Sequence, residues 1–396
     1  VKAFQQSDGD MALPFDDQWL PLTPSSKVFT STVEVDDLTA AAVVPFDYEF
    51  TGSTEFTPAA IPNLPDEFGI GAIVGASGTG KSSLLAEFGT PEEPSWDRDM
   101  SVASHFADAD DAAARLTAVG LSSIPTWCKP YHVLSNGEQF RADLARSIGE
   151  RALLDEFTSV VDRNVAQAAS KSLRRWVDQH GTRGVVVASC HRDVLPWLKP
   201  DWVIDTDAQA YALNPRGCLQ RPQLVVDVRA TDTRLWRYFA PHHYMTADIV
   251  ASSQCFVASI GDQLCGFVAI LPFTNGNLKN AFRTHRIVVL PDFQGFGIGP
   301  RLHDWVGAYY ASTNRTVYIK TIHPRFGSYL ERSDVWEPTL SNLKKHDFGD
   351  NALYENHRGD RLAFSYRYKV DPVHRLRTDA DRAASAAQMD MLGGTA

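Results

Sequence analysis

Nine consecutive residues, Gly75-Ala76-Ser77-Gly78-Thr79-Gly80-Lys81-Ser82-Ser83, are the part of this chain best equipped for chemistry. They fit the spacing G-x-x-x-x-G-K-[ST], in which glycines let successive backbone N–H groups face a triphosphate while a lysine and a hydroxyl complete the cradle. Ile70-Gly71-Ala72-Ile73-Val74 reads as a buried strand entering the loop, and Ser82-Ser83-Leu84-Leu85-Ala86 opens a helix. That order sets a helix N-terminus on the phosphates. A nucleoside triphosphate is the expected ligand, held by Gly75, Ser77, Gly78, Thr79, Gly80, Lys81, Ser82 and Ser83, with the Ser82 hydroxyl on magnesium. A second anion cradle lies at Gln294-Gly295-Phe296-Gly297-Ile298-Gly299, between the strand-like run His285 to Leu290 and a helix over 301–311. Its backbone N–H groups can hold a pyrophosphate without side chains, and Pro300 suits a first helical position, where a missing N–H matters least.

Between these cradles, Leu134-Ser135-Asn136-Gly137-Glu138 opens a helix carrying Arg141 and Arg146. It resembles the signature of ABC-type ATPases, and Ser135 and Gly137 at a helix N-terminus form an anion site. In that family the site caps the γ-phosphate bound to the other subunit, so the resemblance implies two heads closing on two nucleotides. Ala152-Leu153-Leu154-Asp155-Glu156 is similar to the family's acid-ended strand. There Asp155 would hold magnesium through water and Glu156 would polarise the attacking water. Ser159-Val160-Val161-Asp162 resembles the D-loop, and His191, directly after Gly184-Val185-Val186-Val187-Ala188-Ser189-Cys190, resembles the switch histidine on the γ-phosphate. The aromatic residues Phe46, Tyr48 and Phe50 stand about where many such ATPases place a ring against adenine; rings that fill a core are the alternative reading for each.

The departures point away from a transporter motor. No glutamine occurs from Lys81 to Leu134, so the one that in transporters ligates magnesium and relays to a membrane partner is missing; His105 or Ser101 are the stand-ins available. Ser135 and Asp155 are closer in sequence than is usual in transporters, and Glu138 replaces the usual glutamine, as in the chromosome-maintenance and DNA-repair branch.

The strand, the Val289-Leu290-Pro291-Asp292-Phe293-Gln294-Gly295 run and the Gly-x-Gly turn resemble the acetyl-CoA loop of GNAT acyltransferases. The resemblance implies an acyl-CoA held by Val289, Gln294, Gly295, Phe296, Gly297, Ile298 and Gly299. Acyl transfer from a thioester needs a base for the amine and an acid for the thiolate. His285 occupies a strand position where some family members place a base, and Tyr329 lies where a tyrosine acid often sits; a core histidine and a packing tyrosine are the alternative readings.

These residues must be positioned by two cores, because 396 residues exceed one ordinary domain. The expected fold class is α/β: an N-terminal extension (1–45), an ABC-type P-loop ATPase domain with a short helical subdomain (46–220), a GNAT-like mixed α/β domain (221–375) and a loose tail (376–396). Lys27 to Val35 alternates like an edge strand, Ala107 to Val119 reads as a helix, and Pro200 to Asp205 as the first domain's last strand. In the second domain, strands are expected at 224–228, 254–260, 265–271, 315–321 and 362–370, with a hairpin turn at Gly261-Asp262-Gln263 and a helix from Pro324. Residues 1–220 carry 17 Lys+Arg against 31 Asp+Glu, and residues 221–396 carry 21 against 17, 16 of them arginine. The arginine-rich half leaves nucleic acid open as a partner. Five scattered cysteines without C-x-x-C pairs read as reduced thiols, and no apolar run reaches a membrane-spanning length, so a cytoplasmic protein without a membrane partner is expected.

The whole combination, over roughly residues 45–370, is similar to a family of ABC-type ATPases fused to an acetyltransferase domain, found in archaea and phages. The resemblance implies ATP, magnesium and acetyl-CoA as ligands and a nucleotide-sandwich homodimer. Three functions follow as expectations. The first is ATP-gated acyl transfer to a macromolecule, with nucleic acid as the favoured acceptor. The second is an ATP-switched binding module with an inactive GNAT fold, and the third an ATP-regulated protein or small-molecule N-acetyltransferase.

Overall fold

A computed structural model of the chain describes residues 19–43, 45, 50–243, 248–274, 278–344 and 363–369. Two compact units divide it: one runs up to Met100 and includes Ser104–Val119 and Pro130–Pro222, and the other comprises Ser101–Ala103, Gly120–Lys129 and the chain from Gln223.

The first unit is built on strands β1 (Leu20–Pro21), β4 (Ile70–Val74), β5 (Leu153–Leu154), β6 (Val185–Ser189), β7 (Trp202–Asp205) and β8 (Ala210–Leu213), in the spatial order β1-β8-β7-β4-β6-β5. A separate exposed ribbon pairs β2 (Phe29–Thr32) with β3 (Ser53–Phe56). Strand β4 pairs in parallel with β6 and β7, and β6 with β5, while β8 returns antiparallel. Every residue of β4, β6 and β7 is buried. Continuous apolar runs of this kind are what a parallel sheet covered on both faces demands. The core under the sheet gathers Ile73, Leu84, Leu85, Val186, Ala188, Trp202 and Ile204. Trp202 lies across Gly71, where a Cβ would sit 2.0 Å from its Cζ2, and Phe68 and Phe88 close over its ring.

The helices of this unit are α1 (Asp37–Val43), α2 (Lys81–Leu85), α3 (Ala109–Ala118), α5 (Asn136–Ser147), α6 (Arg163–His180) and α7 (Leu195–Leu198). Their starts follow from side-chain caps. Asp108 accepts from Asp110 and Asp111, Asp162 from Asn164 and Val165, and Ser135 with Glu138 forms a reciprocal capping box. Strand β5 is shorter than the sequence suggests because the backbone leaves the sheet at Asp155 and turns left-handed at Glu156, φ 49°. Among the described residues the sheet ends at β5.

The second unit holds β9 (Asp227–Thr231), β10 (Gln254–Ile260), β11 (Gln263–Pro272), β12 (Ala281–Val289), β13 (Thr316–Thr321), β14 (Trp336–Pro338) and β15 (Phe364–Tyr368), ordered β14-β15-β13-β12-β11-β10-β9. Its helices are α4 (Ile124–Trp127), α8 (Trp236–Phe239), α9 (Ile298–Ser312) and α10 (Pro324–Glu331). Strand β9 begins three residues later than the apolar run 224–228 suggests, since its partner β10 ends at Ile260 and pairing starts at Asp227 opposite Ser259. One face of the sheet buries Cys255, Val257, Phe267, Ala269 and Val288 against Trp236 and Phe239. On the other, α9 sets Leu302 near Gly266 and Gly307 against Tyr368. The mixed α/β class expected from sequence is the class observed. The expected tail after 376, like Phe46 and Tyr48, lies outside the described residues.

Candidate functional site

In the first unit, parallel pairing decides which residues meet. Because β5, β6, β4 and β7 are parallel neighbours, the segments after them, Asp155–Thr158, Cys190–Arg192, Gly75–Lys81 and Thr206–Asp207, emerge at one edge of the sheet. In open α/β sheets that carboxyl edge is where ligands bind. Sequence reasoning proposed the first three segments from motifs dispersed over 117 positions, Gly75 to His191, and the topology brings them to one edge.

The glycine-rich loop is exposed at Ala76–Gly78. Gly75 has φ 151°, and a Cβ there would meet the Thr206 hydroxyl at 2.0 Å, so only glycine lets the loop leave β4 in this direction. The loop is braced from the far side by a turn the motif does not include. Thr206 Oγ1 meets Thr79 Oγ1 at 2.6 Å, and the Asp207 carboxylate accepts the Ala76 N–H at 2.9 Å. Burial opposes ionisation of Asp207, but the Ala76 N–H and the Arg192 guanidinium outweigh it and hold the carboxyl below the usual range. Arg192 also donates to Asp205 at 2.8 Å from two nitrogens. Lys81 Nζ donates to the Ala76 carbonyl at 2.6 Å. Phe56 packs against the loop, its Cζ 2.7 Å from the position of a Cβ on Gly80. Phe56 was not among the rings singled out from sequence, although its position 25 residues before Lys81 could have marked it; Phe50 is only partly buried.

Asp155 and Glu156 are exposed, and the Glu156 N–H donates to Asp155 Oδ1 at 2.8 Å. Thr158 is buried with φ 73°. A β-branched residue in that region is strained by about 1–3 kcal/mol and persists where its surroundings over-determine it. Here its hydroxyl lies 3.1 Å from His191 Nδ1 and 3.2 Å from Ser189 Oγ. Burial, then the nearby Arg163 charge, lower the His191 pKa, so the ring is neutral at pH 7. Ser135 is exposed at the start of α5, and both its N–H and its hydroxyl donate to Glu138 at 3.0 Å. Of the proposed glutamine stand-ins, His105 accepts the Asp97 N–H at 2.9 Å and faces Trp96, while Ser101 belongs to the second unit. Among the described residues no group of three His, Cys, Asp or Glu side chains is placed to hold a metal ion. The hydroxyl of Ser82 and the carboxylate of Asp155 suit magnesium, a hard cation usually held by one or two protein oxygens together with nucleotide phosphates and water.

In the second unit, β12 pairs with β13 only over Ala281–Arg283, opposite Thr316–Tyr318. Beyond Arg283 no ladder among the described residues joins the two strands, which leaves the edge of β12 from Thr284 to Val289 available for another extended chain. The register between β11 and β12 also slips here, from Ala269–Arg286 to Ile270–Thr284, so His285 is an unopposed bulge residue. The Gln294–Gly299 loop follows β12 and turns into α9 through Gly295 (φ 99°) and Gly297 (φ 82°). Phe296 and Ile298 are buried anchors, and a Cβ on Gly299 would contact the Val289 side chain at 3.4 Å. This pairing of an open strand edge with a glycine turn suits a ligand that is a pantetheine-like chain ending in a pyrophosphate.

Neither proposed proton carrier has an idle polar group. His285 has Nε2 facing the Val250 N–H and Nδ1 facing Arg286 Nη1, each at 3.3 Å. Burial, then Arg286 and Arg283, bring its pKa down to about 4. The Tyr329 hydroxyl donates to Asp304, whose other oxygen accepts the Trp336 indole at 2.7 Å. Burial and the Asp304 charge raise the tyrosine's pKa. A third titratable residue, His303, lies fully buried on α9, stacked on Trp336, with Nε2 2.8 Å from the Thr284 hydroxyl.

Residues 251–356 match the family model described as an acetyltransferase (GNAT) domain, so the chain carries a GNAT-type domain in its C-terminal part. No curated protein matches the chain. Similar solved structures include a GNAT-family protein from Desulfovibrio desulfuricans, 16% identical, with 37% of this chain and 100% of that chain covered and a TM-score of 0.30. A GNAT-family acetyltransferase from Elizabethkingia anophelis with acetyl-CoA bound is 18% identical over 36% of this chain and 95% of its own, TM-score 0.26. The dimeric structure of a bacterial ABC transporter cassette is 14% identical over 38% of this chain and 87% of its own, TM-score 0.29. No helix among the described residues is long and apolar enough to cross a membrane.

Proposed function

We propose that this chain is an ATP-binding and ATP-hydrolysing ABC-type cassette, working as a homodimer, that gates acetyl transfer from acetyl-CoA by its GNAT-type domain to a macromolecular acceptor, nucleic acid first among the classes. The observation that carries the reading is the convergence of the Lys81 loop, the Asp155–Glu156 pair and His191 at one edge of a parallel sheet. In the ATPase step, loop N–H groups and Lys81 hold the phosphates, and Glu156 orients a water whose oxygen bonds to the γ-phosphorus as the bond to ADP breaks. His191, neutral and steadied by Thr158, hydrogen-bonds the γ-phosphate. Magnesium, held by Ser82 and Asp155, would spread the developing charge. Ser135 and Gly137 of the opposite protomer would complete the cage.

In the acyl step, the acceptor amine forms a bond to the acetyl carbon and the carbon–sulfur bond breaks. His285 receives the amine proton and Tyr329 supplies one to the thiolate. Both must first exchange their present partners, the Val250 N–H and Asp304. That observation favours a second reading, in which the GNAT fold binds acyl-CoA without turnover and serves as an ATP-switched assembly module.

The deciding experiment incubates the full chain with radiolabelled acetyl-CoA and cellular RNA, DNA or protein, with and without ATP and magnesium. ATP-dependent label in nucleic acid is the result expected, and label in protein alone moves the acceptor class. Acetyl-CoA binding with no label in any fraction favours the assembly module.

A further inference from the structure

The acyl-CoA loop of the second unit is touched by a piece of chain that belongs, in sequence, to the ATPase half. Gly120–Lys129 lies between α3 and α5, yet it is part of the second unit. The piece is internally tied, since the Trp127 indole donates to the Leu121 carbonyl at 2.6 Å and the Val102 N–H to the Lys129 carbonyl at 2.9 Å. Its first residues meet Gln294, the residue that begins the Gln-x-x-Gly-x-Gly turn. The Ser122 N–H donates to Gln294 Oε1 at 2.7 Å, and Gln294 Nε2 donates to the Val289 carbonyl at 2.9 Å. The amide is therefore held at both ends, between the inserted piece and the last residue of β12. Gly120 has φ 87°, and a Cβ there would lie 3.0 Å from the Gln294 carbonyl oxygen, a backbone atom that cannot swing aside.

We propose that Gly120 and Ser122 are positioning residues of the acyl-CoA loop, through which acyl-CoA affinity answers to the nucleotide held by the ATPase half. The inference rests on the acyl-CoA reading of the Gln294–Gly299 turn. Its physical basis is continuity. The inserted piece runs on one side into α3 and on the other into the segment leading to Ser135, so a nucleotide-dependent movement of either pulls on the clamp that shapes the Gln294 turn. Coupling of this kind is reciprocal, and acetyl-CoA must change ATP affinity by the same factor that ATP changes acetyl-CoA affinity.

The test measures acetyl-CoA binding to the full chain by calorimetry, with and without ATP and magnesium, on a Glu156→Gln background that prevents turnover. Acetyl-CoA affinity is expected to shift at least fivefold with ATP, a size typical of coupled sites. Ser122→Ala, which keeps the N–H, leaves both values unchanged. Ser122→Pro, which deletes the donor, and Gln294→Met, which deletes the acceptor, each weaken acetyl-CoA about tenfold and bring the two values together, and the double variant is no worse than either alone. If Ser122→Pro does not fold, the loss of the ATP effect in Gln294→Met carries the test. Acetyl-CoA binding that neither ATP nor these substitutions alter overturns the inference alone. No acetyl-CoA binding by the unaltered chain overturns the acyl-CoA reading and the inference with it.

Discussion

At the scale of single residues, the chemistry proposed for this chain depends on groups whose surroundings set their protonation. His191 and His285 are both held neutral at pH 7, first by burial and then by neighbouring arginines. A neutral imidazole can accept a proton or a hydrogen bond where an imidazolium could only donate. His303 is the extreme case, with a pKa near 3 caused by complete burial. The unfolded chain takes up this residue's proton near pH 6.5, whereas the folded chain refuses it until about pH 3. Folding stability therefore falls as pH drops from 6.5 towards 3, by about 1.4 kcal/mol per pH unit for this one group, and is flat above 6.5. Urea unfolding followed from pH 7.5 to 4.5 should show that slope, and His303→Phe should remove one proton's worth of it. An unchanged slope would mean that His303 titrates normally. Residue types alone announced the Lys81 loop and the acid pair, but not the braces behind them. Thr158, Thr206 and Asp207 are common residues whose roles exist only because the fold sets them about 3 Å from His191, from Thr79 and from the Ala76 N–H.

At the scale of elements, the buried strands were readable because unbroken apolar runs such as Ile70–Val74 and Val185–Ala188 have few other uses. Helix starts were readable at Ser135, where the capping residues stand in the sequence. What pattern could not show was strand extent where chemistry intervenes. At β5 the left-handed turn at Glu156 ends pairing after two residues, and at β9 the length of the partner strand sets the start. Nor does any pattern mark Gly120–Ser122 as a neighbour of Gln294, since the contact spans 172 residues. One close approach within the first sheet gives an element-scale expectation. Gly71→Ala would drive a methyl into Trp202, where the gap for a Cβ is 2.0 Å, and overpacking of that order costs about 1–3 kcal/mol or more. Chemical denaturation should show that loss in the first unit. Pairing it with Trp202→Phe should recover part of it, as a shared contact requires. Equal losses with and without Trp202 would show that the clash lies elsewhere.

At the scale of the whole molecule, an acidic half built on a mostly parallel sheet is joined to an arginine-rich half with a GNAT-type domain. The proposed function puts an ATPase and an acyltransferase in one chain, and it requires that the state of one be communicated to the other. The proposed nucleotide-sandwich dimer requires Ser135 to be within reach of a second copy, and Ser135 is exposed. The proposed nucleic-acid acceptor would be met by the second half, with 21 Lys+Arg to 17 Asp+Glu, rather than by the first, with 17 to 31. The direct measurement is sedimentation velocity of the Glu156→Gln chain with saturating ATP and magnesium. A dimer that forms only with ATP, and that Lys81→Ala and Ser135→Arg both abolish, is the expected result. A chain that binds ATP to saturation yet sediments as a monomer at every concentration would contradict the nucleotide-sandwich dimer.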